Sequence, residues 1–285
     1  MTAHQHTPDV DWAEVVDQLA LTADVARPMD AQIVDWLQIG SGARVADVGC
    51  GAGGMTALLA DAVGPSGRVY AIDGQDALLE ATAARCRDQG YGDRLSTIRQ
   101  DLSAGVPETE PLDLVWAAHV VHHLPDQQAA IATLGGMLTE GGRLVLSEGG
   151  LRLACLPWDV GVGEPGLEDR LHCAEEGWFV RMRESIPGSV RAPMGWPQLL
   201  RGSGFTEVTT RSFLLDLPSP VSEEVERFLV SSLQHRVDRA EDDLNAEDLA
   251  AWRRLLDPEG DDYLWRRGDL YCLRADTVHV GVMRR

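Results

Sequence analysis

The sequence predicts an α/β protein built on a largely parallel sheet with helices on both faces. Three observations carry that prediction. Short apolar runs alternate with stretches of helical periodicity through the first 150 residues. A glycine cluster stands directly between the first such run and the helix that follows it. The runs are near-continuous in apolar residues, as in strands buried on both sides.

Residues 10–26 carry Trp12, Val15, Val16, Leu19 and Ala20 at helical spacing and predict an amphipathic helix. A second helix, at about 30–37, is expected to end near Gly40. The period then changes. Strands are predicted at 44–48, 67–72, 95–99, 112–117, 143–146, 207–215 and 278–283, seven in all. Helices are predicted at 55–63, 77–87, 127–138, 196–201, 221–239 and 246–256. Between 149 and 193 the alternation breaks in a segment too long for an ordinary connection, which should hold some helix of its own. The expected organisation is an N-terminal helical segment over 1–40 and one domain over 41–285. That domain carries two elaborations, at about 149–195 and 216–276.

The chain has 285 residues, 44% hydrophobic, with 45 acidic against 25 basic residues and a formal net charge of −20. Such a charge repels phosphate backbones and anionic lipid, so nucleic acid and membrane surfaces are poor partners. Every basic residue is arginine, which excludes Schiff-base lysine chemistry and the lysine of P-loop enzymes. Cys50, Cys86, Cys155, Cys173 and Cys272 form no CxxC pair, so neither a zinc knuckle nor a disulfide framework is indicated. The first eleven residues hold no apolar signal core, and no stretch approaches the roughly 18 apolar residues of a membrane span. A cytoplasmic monomer or homodimer is the expectation.

The strongest motif is Val45-Ala46-Asp47-Val48-Gly49-Cys50-Gly51-Ala52-Gly53-Gly54, between a predicted strand and a predicted helix. Its glycines let the backbone approach a ligand closely. Gly49, Gly51 and Gly54 also satisfy the dinucleotide pattern GxGxxG, so a nicotinamide dinucleotide is a genuine rival. Asp47 argues against a pyrophosphate over that turn and suits the ammonium of a methionine moiety. Asp73 closes the next strand, 20 residues beyond Gly53, where either cofactor needs an acceptor for ribose hydroxyls.

Gln100-Asp101-Leu102 and the segment Asp113-Leu114-Val115-Trp116-Ala117-Ala118-His119-Val120-Val121-His122-His123-Leu124-Pro125-Asp126 complete the series. With the glycine loop and Asp73, they resemble class I S-adenosylmethionine (SAM)-dependent methyltransferases, especially the ubiquinone/menaquinone C-methyltransferase-like group. Leu138-Thr139-Glu140-Gly141-Gly142-Arg143-Leu144-Val145-Leu146 is similar to that group's glycine turn into its fifth strand. The resemblance covers residues 40–150 well and 196–215 loosely. It implies a Rossmann-like, seven-stranded, mostly parallel sheet with the last strand antiparallel, and helical inserts forming a substrate cover. It also implies that Asp47, Gly49, Gly51, Gly53, Asp73, Gly74, Asp101, Leu102, Ala118 and His119 hold SAM. Asp73 would take the ribose, Asp101 and Leu102 the adenine, Ala118 and His119 the methyl end. Ala118 stands where this group often has the Asn that NPPY-type N-methylases need, which argues against adenine or glutamine as acceptor. The expected activity is methylation of a small organic molecule in bacterial specialised metabolism.

Methyl transfer is an in-line displacement that needs alignment and sometimes a base. His119 is the most pointed candidate base. His122 is a further catalytic candidate, although it and His123 read more naturally as caps of the following helix; Glu148, ending the fifth strand, could reach substrate, with a solvated or helix-capping role the alternative. A metal is not expected, because no carboxylate accompanies the histidines at ligand spacing. Trp158, Trp178 and Arg181 in the first insert are candidates for substrate contact, as aromatic faces and a carboxylate grip. Core packing of the tryptophans, and pairing of the arginines with acids such as Glu168 and Glu175, is the alternative. Glu241-Asp242-Asp243 reads as a solvated helix end. Two other classes stay open: an NAD(P)-dependent oxidoreductase and a SAM-binding protein without transferase activity.

Overall fold

The computed structural model describes residues 11–284; residues 1–10, with Val10 of the first expected helix, and Arg285 lie outside them. The chain opens with α1 (Trp12–Leu37), capped by Asp11, whose carboxylate accepts the N–H groups of Ala13 and Glu14. The expectation of two helices here is corrected, since one helix runs straight through Pro28. A proline inside a helix costs about 3 kcal/mol. The apolar stripe does not stop there, however: Met29, Ile33, Val34 and Leu37 continue it and are buried. At ~1.5–3 kcal/mol per buried side chain, their packing outweighs the break.

The strands are β1 (Arg44–Val48), β2 (Arg68–Asp73), β3 (Leu95–Arg99), β4 (Leu112–Ala118), β5 (Leu138–Ala154), β6 (Phe205–Leu217) and β7 (Cys272–Met283). They form one sheet in the order β3-β2-β1-β4-β5-β7-β6. β1 pairs in parallel with β2 and with β4, β2 with β3, and β4 with β5. Parallel partners need a crossover, and α2 (Gly54–Ala62), α3 (Asp76–Asp88) and α4 (Gln127–Gly135) supply it after β1, β2 and β4. Consecutive residues Val45 to Val48 and Leu114 to Ala117 are all buried, so the central strands are covered on both faces. The order reverses at β1, with β2 and β3 to one side and β4 and β5 to the other. Strand carboxyl ends diverge at such a point and leave a crevice there.

β5, β6 and β7 are each longer than the apolar runs at 143–146, 207–215 and 278–283 indicate. In β5 and β6 many of the added residues are exposed: Glu140, Gly141 and Gly149 to Arg152 of β5, and Thr206 and Asp216 of β6, face solvent. An edge strand with one wet face carries polar side chains, which an apolar-run criterion does not register.

The described chain divides into two units. The first holds the residues up to Gly150, Ile186–Phe213 and those from Asp276 on; the second holds Leu151–Ser185 and Leu214–Ala275. Residues 186–195, expected in the first insert, thus belong to the first unit, where the Val190 N–H donates to the Pro125 carbonyl. The first unit includes α6 (Trp196–Gly202), and the second contains α5 (Leu167–Ser185), α7 (Glu223–Ala240) and α8 (Ala246–Leu256). Arg236, buried on α7, reaches Glu168 and Glu175 of α5, while the Glu168 carboxylate also accepts the Cys155 and Leu156 N–H groups. Arg170 forks onto Asp248 with two hydrogen bonds of 2.8 Å. Among the described residues no helix is long and apolar enough to cross a membrane.

The turn between β1 and α2 depends on Gly53, which sits at φ +79° with a would-be Cβ 2.8 Å from the Thr82 Cα on α3. Left-handed strain and a backbone clash together cost ~3 kcal/mol, so Gly53→Ala is expected to lower the Tm by roughly 6–12 °C. Melting followed by circular dichroism checks this; an unchanged Tm contradicts the tight α2–α3 approach.

Candidate active site

β1 ends in a turn folded over β2, with the Gly49 and Cys50 N–H groups both donating to the Ile72 carbonyl (2.8 and 3.2 Å). Gly49 has φ +72°, and a Cβ there would stand 2.3 Å from a Val120 methyl carbon. The loop after β4 therefore lies directly against the glycine turn. Asp73, at the end of β2, accepts the N–H of Gly51 (3.2 Å) and of Gln75 (3.1 Å). Burial raises its pKa, and these backbone donors hold the rise back. After β3, the Asp101 carboxylate caps a short turn through the Ser103 N–H (2.9 Å) and hydroxyl (2.7 Å).

These four strand ends enclose a cleft of about 470 Å³, open mouth included. Gly49, Asp73, Gly74 and Gln75 wall one side, with Gln100, Asp101 and Leu102 beyond them. His119, Val120, His123 and Leu124 close the other side. Among the described residues two carboxylates and no arginine line it.

Behind His119 stands Glu148, the last buried residue of β5 at 2% exposure. Its Oε1 accepts the N–H groups of Val120, Val121 and His122 (3.2, 2.9 and 3.4 Å), and its Oε2 lies 2.6 Å from His122 Nδ1. One buried carboxylate thus holds the whole 120–122 segment. His119 adopts φ +54°, a conformation few non-glycine residues take. Its Nε2 lies 3.8 Å from Asp276 Oδ2 on β7, and half of its side chain is exposed. His279, also on β7, donates from Nε2 to the Glu148 carbonyl (3.2 Å) and accepts the Thr210 hydroxyl at Nδ1 (2.9 Å). Burial lowers its pKa and keeps it neutral.

Several expectations change. Of the two roles open to Glu148 the structure shows the capping one: it is enclosed, because the turn after β4 needs an acceptor for three N–H groups. Asp47 is not in the cleft wall. Neighbouring strand residues face opposite sides, and Asp47 is turned beneath the glycine turn, where the Thr56 hydroxyl donates to it (2.5 Å). Burial pushes its pKa up to about 7, with Asp73 adding to the rise and Thr56 opposing it. Gly51, Gly53 and Ala118 are likewise absent from the wall; Gly51 anchors Asp73, and Gly53 packs on Thr82. The argument that no carboxylate accompanies the histidines fails, because folding brings Glu148 from 26 residues away.

Trp158, Trp178 and Arg181 all fall in the second unit. Trp158 is 71% exposed. Arg239 covers the Trp178 ring at 4.5 Å, and Arg181 already holds a carboxylate, that of Asp243, through two 2.5 Å bonds. The residues without an assigned role in the sequence are Gln75, Val120 and Leu124 in the wall, and Asp276 and His279 behind it. Only the polar spacing within β7 offered a signal for the last two.

The sequence profile of the protein-L-isoaspartate(D-aspartate) O-methyltransferase family matches residues 3–150, just over half of the chain. The chain belongs to this family. This member of the isoaspartate methyltransferase family is 35% identical over 136 residues to trans-aconitate 2-methyltransferase of Methylobacterium radiotolerans (44% of this chain, 49% of that protein). It is 29% identical over 222 residues to nocamycin O-methyltransferase of Saccharothrix syringae (73% and 77%). It is also 29% identical over 115 residues to the ubiquinone/menaquinone biosynthesis C-methyltransferase UbiE of Hahella chejuensis (40% and 46%). The methyltransferase resemblance read from the motifs is thereby borne out. The chain spans between 39% and 59% of the length of the first relatives it matches. In fold it is similar to the YcgJ protein of Bacillus subtilis, with TM-score 0.50 and 15% identity over 90% of this chain and 99% of that one.

Proposed function

We propose that this protein transfers a methyl group from SAM to a small organic acceptor. The observation that carries the proposal is the charge of the cleft: Asp73 and Asp101 line it, without an arginine. Asp73 at a ribose suits either cofactor, but Asp101 adds a second carboxylate with no cation beside it to balance a diphosphate. A ligand carrying an ammonium and a sulfonium meets the opposite sign. Bound there, SAM supplies a methyl group on a positively charged sulfur.

The chain's residues then divide the work. Asp73 accepts the ribose hydroxyls, the walls at Asp101 and Leu102 take the adenine, and Gly49 leaves room that a side chain would fill. His119 stands at the exposed end with His122 and Glu148 behind it, and together they activate the acceptor. The net charge of −20 and the relatives named for small acceptors support a small molecule over nucleic acid.

Incubation with methyl-labelled SAM and a panel of phenols, carboxylic acids, amines and activated carbons tests the reading. Label transfer to one class is expected; SAM binding with no transfer to any class favours a non-catalytic role. In the active reaction, His119→Ala is expected to lower kcat by roughly 10²-fold or more while S-adenosylhomocysteine affinity stays nearly unchanged. An unaltered kcat removes His119 from the chemistry.

A further inference from the structure

We propose that His119, His122 and Glu148 bind one divalent first-row transition-metal ion, which holds the acceptor's oxygen beside the transferred methyl group; the second clause rests on the function proposed above. One ligand atom from each residue lies within 4.8 Å of the others. Ligands about 2.1 Å from a shared ion stand roughly 3.4 Å apart, so binding needs the His119 ring to turn inward and the His122–Glu148 pair, now 2.6 Å apart, to open by about 0.8 Å. Two imidazole nitrogens and one carboxylate oxygen suit zinc, manganese, iron(II) or cobalt, and three protein ligands leave a position open for an oxygen of the acceptor.

Two of the three prospective ligands have a polar group behind them. Asp276 Oδ2 lies 3.8 Å from His119 Nε2, so a slight turn of the ring would set a carboxylate behind that nitrogen and leave Nδ1 for the ion. Glu148 Oε1 is held by the N–H groups of Val120, Val121 and His122, so Oε2 is the oxygen presented beside His122 Nδ1. The ion takes the place of the hydrogen shared by those two atoms. The His279 ring fixes the Glu148 backbone from β7. A purely structural carboxylate cap explains the contacts of Oε1. It explains neither the φ of +54° that turns His119 into the group nor the carboxylate set behind its ring.

With the ion present, an acceptor hydroxyl coordinates and loses its proton to water, because the cation lowers the hydroxyl's pKa. The acceptor oxygen then gives its electron pair to the methyl carbon. The carbon–sulfur bond breaks with its pair remaining on sulfur, and the ion changes neither charge nor oxidation state. The products are the O-methylated acceptor, S-adenosylhomocysteine and one proton.

Titration of the chelator-treated full chain with Co²⁺, followed by its visible absorption, tests the site without any turnover. One Co²⁺ per chain is expected, displaced by Zn²⁺. Asp276→Asn should weaken Co²⁺ binding ten- to hundred-fold, the range for a carboxylate behind a ligand, and His119→Ala should weaken it further. His119 is exposed, so its replacement leaves the fold intact; Glu148→Gln serves as a third variant if circular dichroism shows it folded. No Co²⁺ binding, or binding that His119→Ala leaves unchanged, overturns the site. Calorimetry with S-adenosylhomocysteine on the same proteins separates the two proposals. Nucleoside binding without Co²⁺ binding sinks the metal site alone; Co²⁺ binding without nucleoside binding sinks the methyl-transfer reading instead.

Discussion

Replacing Asp73 by Ala should weaken S-adenosylhomocysteine binding by about 10²-fold or more. A carboxylate that accepts two ribose hydroxyls contributes charge-assisted hydrogen bonds of ~1.5–3 kcal/mol each, and Ala removes both. The same carboxylate anchors the Gly51 and Gln75 N–H groups, so the variant also loosens the glycine turn. Asp73→Asn separates the two effects. It keeps a side chain of the same shape with one acceptor oxygen, and should melt closer to the parent protein while still binding poorly. Calorimetric affinity, read beside the Tm of each variant, checks this. Full affinity in a folded Asp73→Ala protein contradicts the ribose assignment.

The second large effect concerns Asp47 and pH. Its carboxyl is buried, and its pKa is raised from an ordinary 3.8 to about 7. A raised pKa means that the folded chain prefers the neutral form. The stability from that preference is fully present below pH 3.8, falls as pH rises toward 7, and is gone above it. Asp47→Asn keeps a neutral partner for Thr56 at every pH, so it should be more stable than the parent at pH 8, by up to roughly 4 kcal/mol. Cofactor binding should move the opposite way. A cation placed over the glycine turn favours ionised Asp47, with Asp73 and Thr56 the other groups facing it. A fall of one pKa unit on binding makes SAM bind roughly ten-fold tighter above pH 7 than below pH 6. Calorimetry at pH 6 and pH 8 reads this, and Asp47→Asn should abolish the difference. A pH-independent affinity in the parent protein means that Asp47 does not sense the cofactor.

These predictions rest on residues of unequal legibility. The strand–glycine turn–helix at 44–62 is a local device, so its sequence spacing carries nearly all its geometry. The same holds for Asp73 and for Gln100 to Leu102, which sit at strand ends where the parallel order puts ligands. Asp47 shows the limit of that reasoning. Its position at the end of β1 is plain, but the face its side chain takes depends on strand parity and on Thr56 nine residues ahead. The pairing of Glu148 with His122 depends on β4 and β5 lying side by side, as Ala118 and Ser147 do in register. Asp276 and His279 join only because β7 inserts between β5 and β6, and no local pattern encodes an insertion across more than 100 residues. The expectation of two helices over 10–37, with Pro28 between them, fails for the opposite reason. A strong local rule was overridden by the tertiary packing of Met29, Ile33 and Leu37.

The decisive measurement is a calorimetric comparison of S-adenosylhomocysteine, SAM and NAD on the full chain. An acidic crevice at the β1/β4 switch point should take both sulfur nucleosides at one site per chain and show no heat with NAD. Saturable NAD binding, or silence with all three, would contradict the account.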